Sequence, residues 1–153
     1  ISGLEELLQA LDLLEECRSK LRSDGIPFNE SMEVGMMIEV PSAAIIADLF
    51  ARKVSFFSVG TNDLVQYSLA VDRLNERIAH LYDPTHPGIL RLINNTVMAA
   101  REPNIWVGVC GEMAGSPLDA LALVALGFRN LSMSAAGIGP VRAAIRSATV
   151  SDL

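Results

Sequence analysis

Four short segments of almost unbroken apolar residues, each ending in a polar cluster, constrain this chain more than any other feature. They are 34–40 (VGMMIEV), 54–59 (VSFFSV), 105–109 (IWVGV) and 131–134 (LSMS). Segments this short and this apolar read as strands of a parallel sheet buried on both faces. Between them lie stretches with apolar residues at three- and four-residue steps, the spacing of helices with one buried face. Ser2 is placed to cap a helix over about Gly3–Ser23, in which Leu4, Leu7, Leu8, Leu11, Leu14 and Cys17 form one stripe, and Gly25 and Pro27 end it. Further helices are expected over Ser42–Arg52, with Ala44, Ile45, Leu49 and Phe50 inward, and over Pro87–Arg101. Another runs from Ser116-Pro117 to Gly127, and a last one opens at Gly139-Pro140. Residues Asp63–Val71 read as helical or turn-like.

The order is therefore one helix followed by four βα units. That is an α/β fold corresponding to half of an eight-stranded barrel, for which about 250 residues is typical. At 153 residues the chain forms one domain, 1–153, truncated relative to such a barrel. By length alone a flavodoxin-like open sheet competes. The polar residues favour the barrel, because they interrupt the apolar pattern at the C-terminal ends of the strands, where active sites of that architecture assemble. Opening on Ile1, with no initiator Met, the sequence predicts a piece of a longer protein.

Charge and cysteine usage exclude several classes. A net charge of −6 with scattered Lys and Arg gives no basic face for nucleic acid. No stretch of about 18 apolar residues is present, so a membrane span is not expected. Cys17 and Cys110 form neither a disulfide framework nor a zinc pattern, which fits a reducing, cytoplasmic setting. Cys17, on the helical stripe, reads as a small core residue.

At the strand ends, Glu39 and Asp63 are hard oxygen donors suited to Mg²⁺; capping a helix or pairing with Arg would also account for them. A carboxylate next to Met36-Met37-Ile38 is costly to bury unless paired or metal-bound. Cys110, between Val109 and Gly111, is a candidate nucleophile or proton donor, or a small buried hydrophobe. Arg73 is placed to clamp phosphate or carboxylate, or to pair with Asp72 or Asp63. His80 and His86 flank a turn and read as surface and helix-start residues. Met36, Met37 and Met133 read as core.

These residues lie in runs that resemble the phosphoenolpyruvate-utilising enzymes, most closely the Enzyme I family of the sugar phosphotransferase system. The runs are MIEVPSAAIIAD (37–48), FFSVGTNDLVQYSLAVDR (56–73), HLYDPTHPGILRLI (80–93), VGVCGEMAG (107–115) and LSMSAAGI (131–138). The run QYSLAVDR is most similar to Enzyme I and its nitrogen-related paralogue. Pyruvate phosphate dikinase, phosphoenolpyruvate synthase and a non-catalytic dimerisation module stand as alternatives. The resemblance implies that Glu39 and Asp63 ligate Mg²⁺ and that Asn62 and Arg73 bind the phosphoryl group of phosphoenolpyruvate. It implies that Cys110 protonates the enolate of pyruvate. It further implies transfer to a histidine on a separate N-terminal domain and on to the phosphocarrier protein HPr or its nitrogen-branch equivalent, and a homodimeric enzyme. Neither His80 nor His86 matches that histidine's motif, so the chain by itself is expected to be inactive.

Overall fold

The computed structural model describes residues 1–149 and 151. Its centre is one sheet of four parallel strands in sequence order: β1 (Gly35–Ile38), β2 (Phe56–Gly60), β3 (Trp106–Cys110) and β4 (Asn130–Ser132). The helices are α1 (Leu4–Ser23), α2 (Pro41–Ile45), α3 (Ala47–Ala51), α4 (Thr61–Leu69), α5 (Pro87–Arg101), α6 (Glu112–Gly115), α7 (Pro117–Ala125) and α8 (Ala135–Ser147). Helices alternate with neighbouring parallel strands throughout. The expected four βα units behind one helix are present, an arrangement consistent with part of a barrel.

Register fixes which side chains share a face. Phe57 pairs with Met36 and Val107, and Val59 with Ile38 and Val109. This apolar face packs beneath the helices, where Ile38, Phe57, Val59, Phe50, Leu64, Ile89, Ile93 and Leu123 are all buried. The other face carries Met37, Ser58 and Gly108 in one row and Gly60, Cys110 and Ser132 in the next. It is not buried as the apolar runs predict: Met37 is 42 % and Trp106 43 % exposed. Four strands close no barrel, and in a closed one that face is filled from the opposite strands. Trp106 meets part of its needs by stacking on Phe56, ring centroids 4.2 Å apart, and donating to Glu33 Oε2 at 3.2 Å.

Several other expectations are corrected. Gly3, not Ser2, is the N-cap of α1, and Ser2 instead binds the Glu6 carboxylate through its backbone N–H and hydroxyl. Only Leu7 of the α1 stripe is buried, and Cys17 is exposed. A groove between α1 and β1 is lined by Leu7, Leu11 and Leu14 on one side and Val34, Gly35 and Met36 on the other, and Cys17 lies outside it. The helix expected over Ser42–Arg52 breaks at Ile46, which turns Ile45 and Leu49 outward. Helix α8 starts at Ala135, before Gly139, and holds Pro140 in its second turn, where proline deletes one intrahelical bond. Of the three methionines expected in the core, Met36 is buried, Met133 partly so, and Met37 faces the open side.

Candidate active site at the strand ends

Parallel strands bring four C-terminal ends to one rim, and the polar residues singled out in the sequence sit there. Glu39 lies just beyond β1 rather than inside it. Its carboxylate leans over the end of β2, because a Cβ at Gly60 would lie 3.2 Å from Glu39 Oε2. Helix α4 starts directly after Gly60 with no side-chain cap, so its first N–H groups face the rim. Asn62 and Asp63 occupy that first turn.

The amide of Asn62 is oriented by its neighbour. Oδ1 accepts from the Glu112 N–H at 3.0 Å, which leaves the Nδ2 donors for another acceptor. Thr61, fully buried, donates its hydroxyl to the Cys110 carbonyl at 3.1 Å and ties α4 to the end of β3. Gly111, at φ 116° and ψ 179°, makes the turn from β3 into α6 in a region that only glycine occupies readily. A Cβ there would run into Thr61 Oγ1 and lie 3.0 Å from Asn62 Oδ1.

Cys110 is half-buried at the mouth of an open cleft of about 450 Å³ lined by Asn62, Cys110, Gly111, Glu112, Ser132 and Ser134 among others. Ser58 Oγ donates to Cys110 Sγ at 3.6 Å, and the thiol donates to the Val59 carbonyl at 3.6 Å. Arg73 pairs with Glu112, Nη1 to Oε1 3.6 Å, rather than with Asp72 or Asp63. Glu112 is largely exposed, so this pair is weak and releases Arg73 at little cost.

Glu39 and Asp63 have neither an ion pair nor a side-chain hydrogen bond among the described residues, although both are partly buried. Half-buried carboxylates left without protein partners form a donor set that fits a hard cation, and Mg²⁺ commonly takes only one or two protein carboxylates. No group of three or more His, Cys, Asp or Glu side chains is arranged to hold a metal among the described residues.

Tyr82, half-buried beside α4, is a site residue that the sequence reading does not single out. Its hydroxyl approaches the Asn62 carbonyl at 3.5 Å. Burial raises its pKa; the Arg73 cation opposes the rise and the Glu112 and Asp63 carboxylates reinforce it. Its one signal in the sequence is an aromatic ring within the run HLYDPTHPGILRLI. His86 caps α5, its Nδ1 accepting from the Gly88 N–H at 3.1 Å, and His80 is exposed, so both take the bland roles expected.

Known proteins similar to this chain fall in one family. Residues 1–150 match the family described as PEP-utilising enzyme, PEP-binding domain. A phosphoenolpyruvate-protein phosphotransferase of Priestia megaterium is 49 % identical over 153 residues, covering 100 % of this chain and 27 % of that protein. The same-named proteins of Geobacillus stearothermophilus and Bacillus subtilis are 50 % and 48 % identical, each over 95 % of this chain and 25 % of their own length. The chain therefore spans about a quarter of the curated relatives it matches. No helix among the described residues is long and apolar enough to cross a membrane. With nearly its whole length matched, the chain belongs to the PEP-binding domain family of the PEP-utilising enzymes.

Proposed function

We propose that this chain is the portion of a phosphoenolpyruvate-protein phosphotransferase that binds Mg²⁺ and phosphoenolpyruvate and protonates the enolate left after phosphoryl transfer. The observation that carries the reading is the pair of unpartnered, partly buried carboxylates at neighbouring strand ends, on the same rim as the Cys110 thiol. Glu39 and Asp63 would hold the ion, which when bound neutralises charge on the phosphate and carboxylate oxygens. Asn62 Nδ2, released from intraprotein bonding, donates to the phosphoryl group, and Arg73 swings from Glu112 to clamp it. The first N–H groups of α4 face the same anion.

Departure of the phosphoryl group leaves an enolate, and Cys110 supplies its proton. The S–H bond breaks, the enolate π electrons form a C–H bond at the methylene carbon, and pyruvate is released. The thiolate regains a proton from solvent. The phosphoryl acceptor is a histidine of another domain, from which the group passes to a phosphocarrier protein of the HPr type. His86 caps α5 and His80 is exposed away from these groups, so the chain itself supplies no acceptor histidine; it binds substrate but does not turn over. It also leaves the outer edge of β1 unpaired and an apolar face open, and it self-associates to cover them.

Thermal unfolding tests the site. At a phosphoenolpyruvate concentration 100-fold above Kd with Mg²⁺, stabilisation is about 2.7 kcal/mol, or roughly 5–10 °C at this size. Asp63→Asn is expected to remove the shift; an equal shift in the variant refutes the assignment. Steady pyruvate release by the isolated chain would contradict its inactivity, and a monomeric mass at micromolar concentration would contradict self-association.

A further inference from the structure

We infer that Ser58, to which nothing above gives a catalytic role, is the positioning residue that holds and tunes the Cys110 thiol. The inference rests on the reading of Cys110 as the proton donor. Ser58 stands in register with Gly108 on β3. Because Gly108 has no side chain, the Ser58 hydroxyl reaches diagonally along the open face to the residue two positions on, and its Oγ lies 3.6 Å from Cys110 Sγ. The thiol's own hydrogen is directed at the Val59 carbonyl, also at 3.6 Å. Sulfur is thus held between two adjacent residues of β2, one donating to it and one accepting from it.

This arrangement has a chemical consequence. When Cys110 gives its proton to the enolate carbon, the S–H bond breaks and negative charge appears on sulfur. The Val59 carbonyl loses its donor, whereas the Ser58 O–H keeps its proton and donates to an anion. Hydrogen bonds to charged groups are about twice as strong as neutral ones, so the Ser58 bond strengthens as transfer proceeds. Ser58 therefore favours the thiolate and fixes the side-chain rotamer from which the proton leaves.

The charged and titratable groups on the surrounding elements are Glu39 beyond β1, Asp63 in α4, Arg73 with its partner Glu112 of α6, Tyr82, and Arg129 before β4, which lines the open cleft beside Ser58 and donates to the Phe128 carbonyl; β4 faces the thiol's row with Ser132. None is altered by a change at position 58, so the hydroxyl's effect can be isolated. The test is the pH dependence of iodoacetamide alkylation of Cys110, measured on the full chain carrying Cys17→Ser to remove the exposed thiol. Ser58→Ala is expected to move the alkylation midpoint about one pH unit to the alkaline side; because a more basic thiolate is also more nucleophilic, the reaction at neutral pH slows roughly threefold. Ser58→Thr is expected to restore the original profile, and Ser58→Val, of the same shape without the hydroxyl, to reproduce the shift. Superimposable profiles for Ser58→Ala and the parent, or for the Thr and Val variants, overturn the inference. Failure of the proton-donor reading shows elsewhere: undiminished pyruvate formation by a whole phosphotransferase carrying the Cys110→Ala change refutes that reading while leaving the alkylation result as it stands.

Discussion

Replacing Gly111 by Ala strikes the junction on which the rim depends. The residue sits at φ 116° and ψ 179°, a conformation that costs a residue with a Cβ about 1–3 kcal/mol. The new methyl would also collide with Thr61 Oγ1 and stand 3.0 Å from Asn62 Oδ1. Thr61 is fully buried and cannot turn to water, so moving it breaks its bond to the Cys110 carbonyl, worth about 1 kcal/mol. Together these give roughly 2–4 kcal/mol, or a fall in Tm of roughly 5–15 °C for a chain of this size. Scanning calorimetry of the variant beside Gly139→Ala supplies the contrast. Gly139 lies inside α8 with nothing within 4 Å of a Cβ, and alanine there is expected to stabilise by roughly 0.5–1 kcal/mol. A Gly111→Ala variant melting within about 2 °C of the parent would refute the claim that this glycine is required by close approach.

Phe57→Ala empties a fully buried position under the helices and should cost about 3–5 kcal/mol in urea unfolding; a loss below about 1 kcal/mol would mean the core lies elsewhere. Asp83 accepts from the Thr85 hydroxyl and N–H, at 2.7 and 2.9 Å, and the Thr85 hydroxyl bond is the main reason its pKa is lowered. A depressed folded pKa contributes stability above the unfolded value of about 3.9 that is lost as pH falls through the folded one. Asp83→Ala should therefore narrow the difference in urea midpoint between pH 7 and pH 3, and an unchanged difference would contradict that linkage.

The strands and their order were legible because period and composition agree: Phe57 and Val59 had to face a core, and four such runs separated by helices have few other arrangements. The strand ends were legible for the same reason, since Glu39, Asp63 and Cys110 interrupt apolar runs at corresponding points. What the sequence concealed depends on partners outside the local pattern. Cys17 sits on a helical stripe like any core residue, yet it is exposed and lies outside the groove between α1 and β1. Ile46 breaks a helix that periodicity draws as continuous. Arg73 was placed beside its sequence neighbours, yet its partner Glu112 comes from another βα unit, a pairing set by the rim. Tyr82 is illegible in the sequence because its hydrogen-bond partner, the Asn62 carbonyl, lies 20 positions away.

Metal-dependent binding of phosphoenolpyruvate at these strand ends is what the proposed function requires. Calorimetric titration of phosphoenolpyruvate into the chain, with and without Mg²⁺, tests it most directly when run beside Asp63→Ala. Heat of binding that requires Mg²⁺ and disappears in the variant is the predicted result. Absence of binding by the parent chain with Mg²⁺, or binding undiminished by the loss of Asp63, would contradict it.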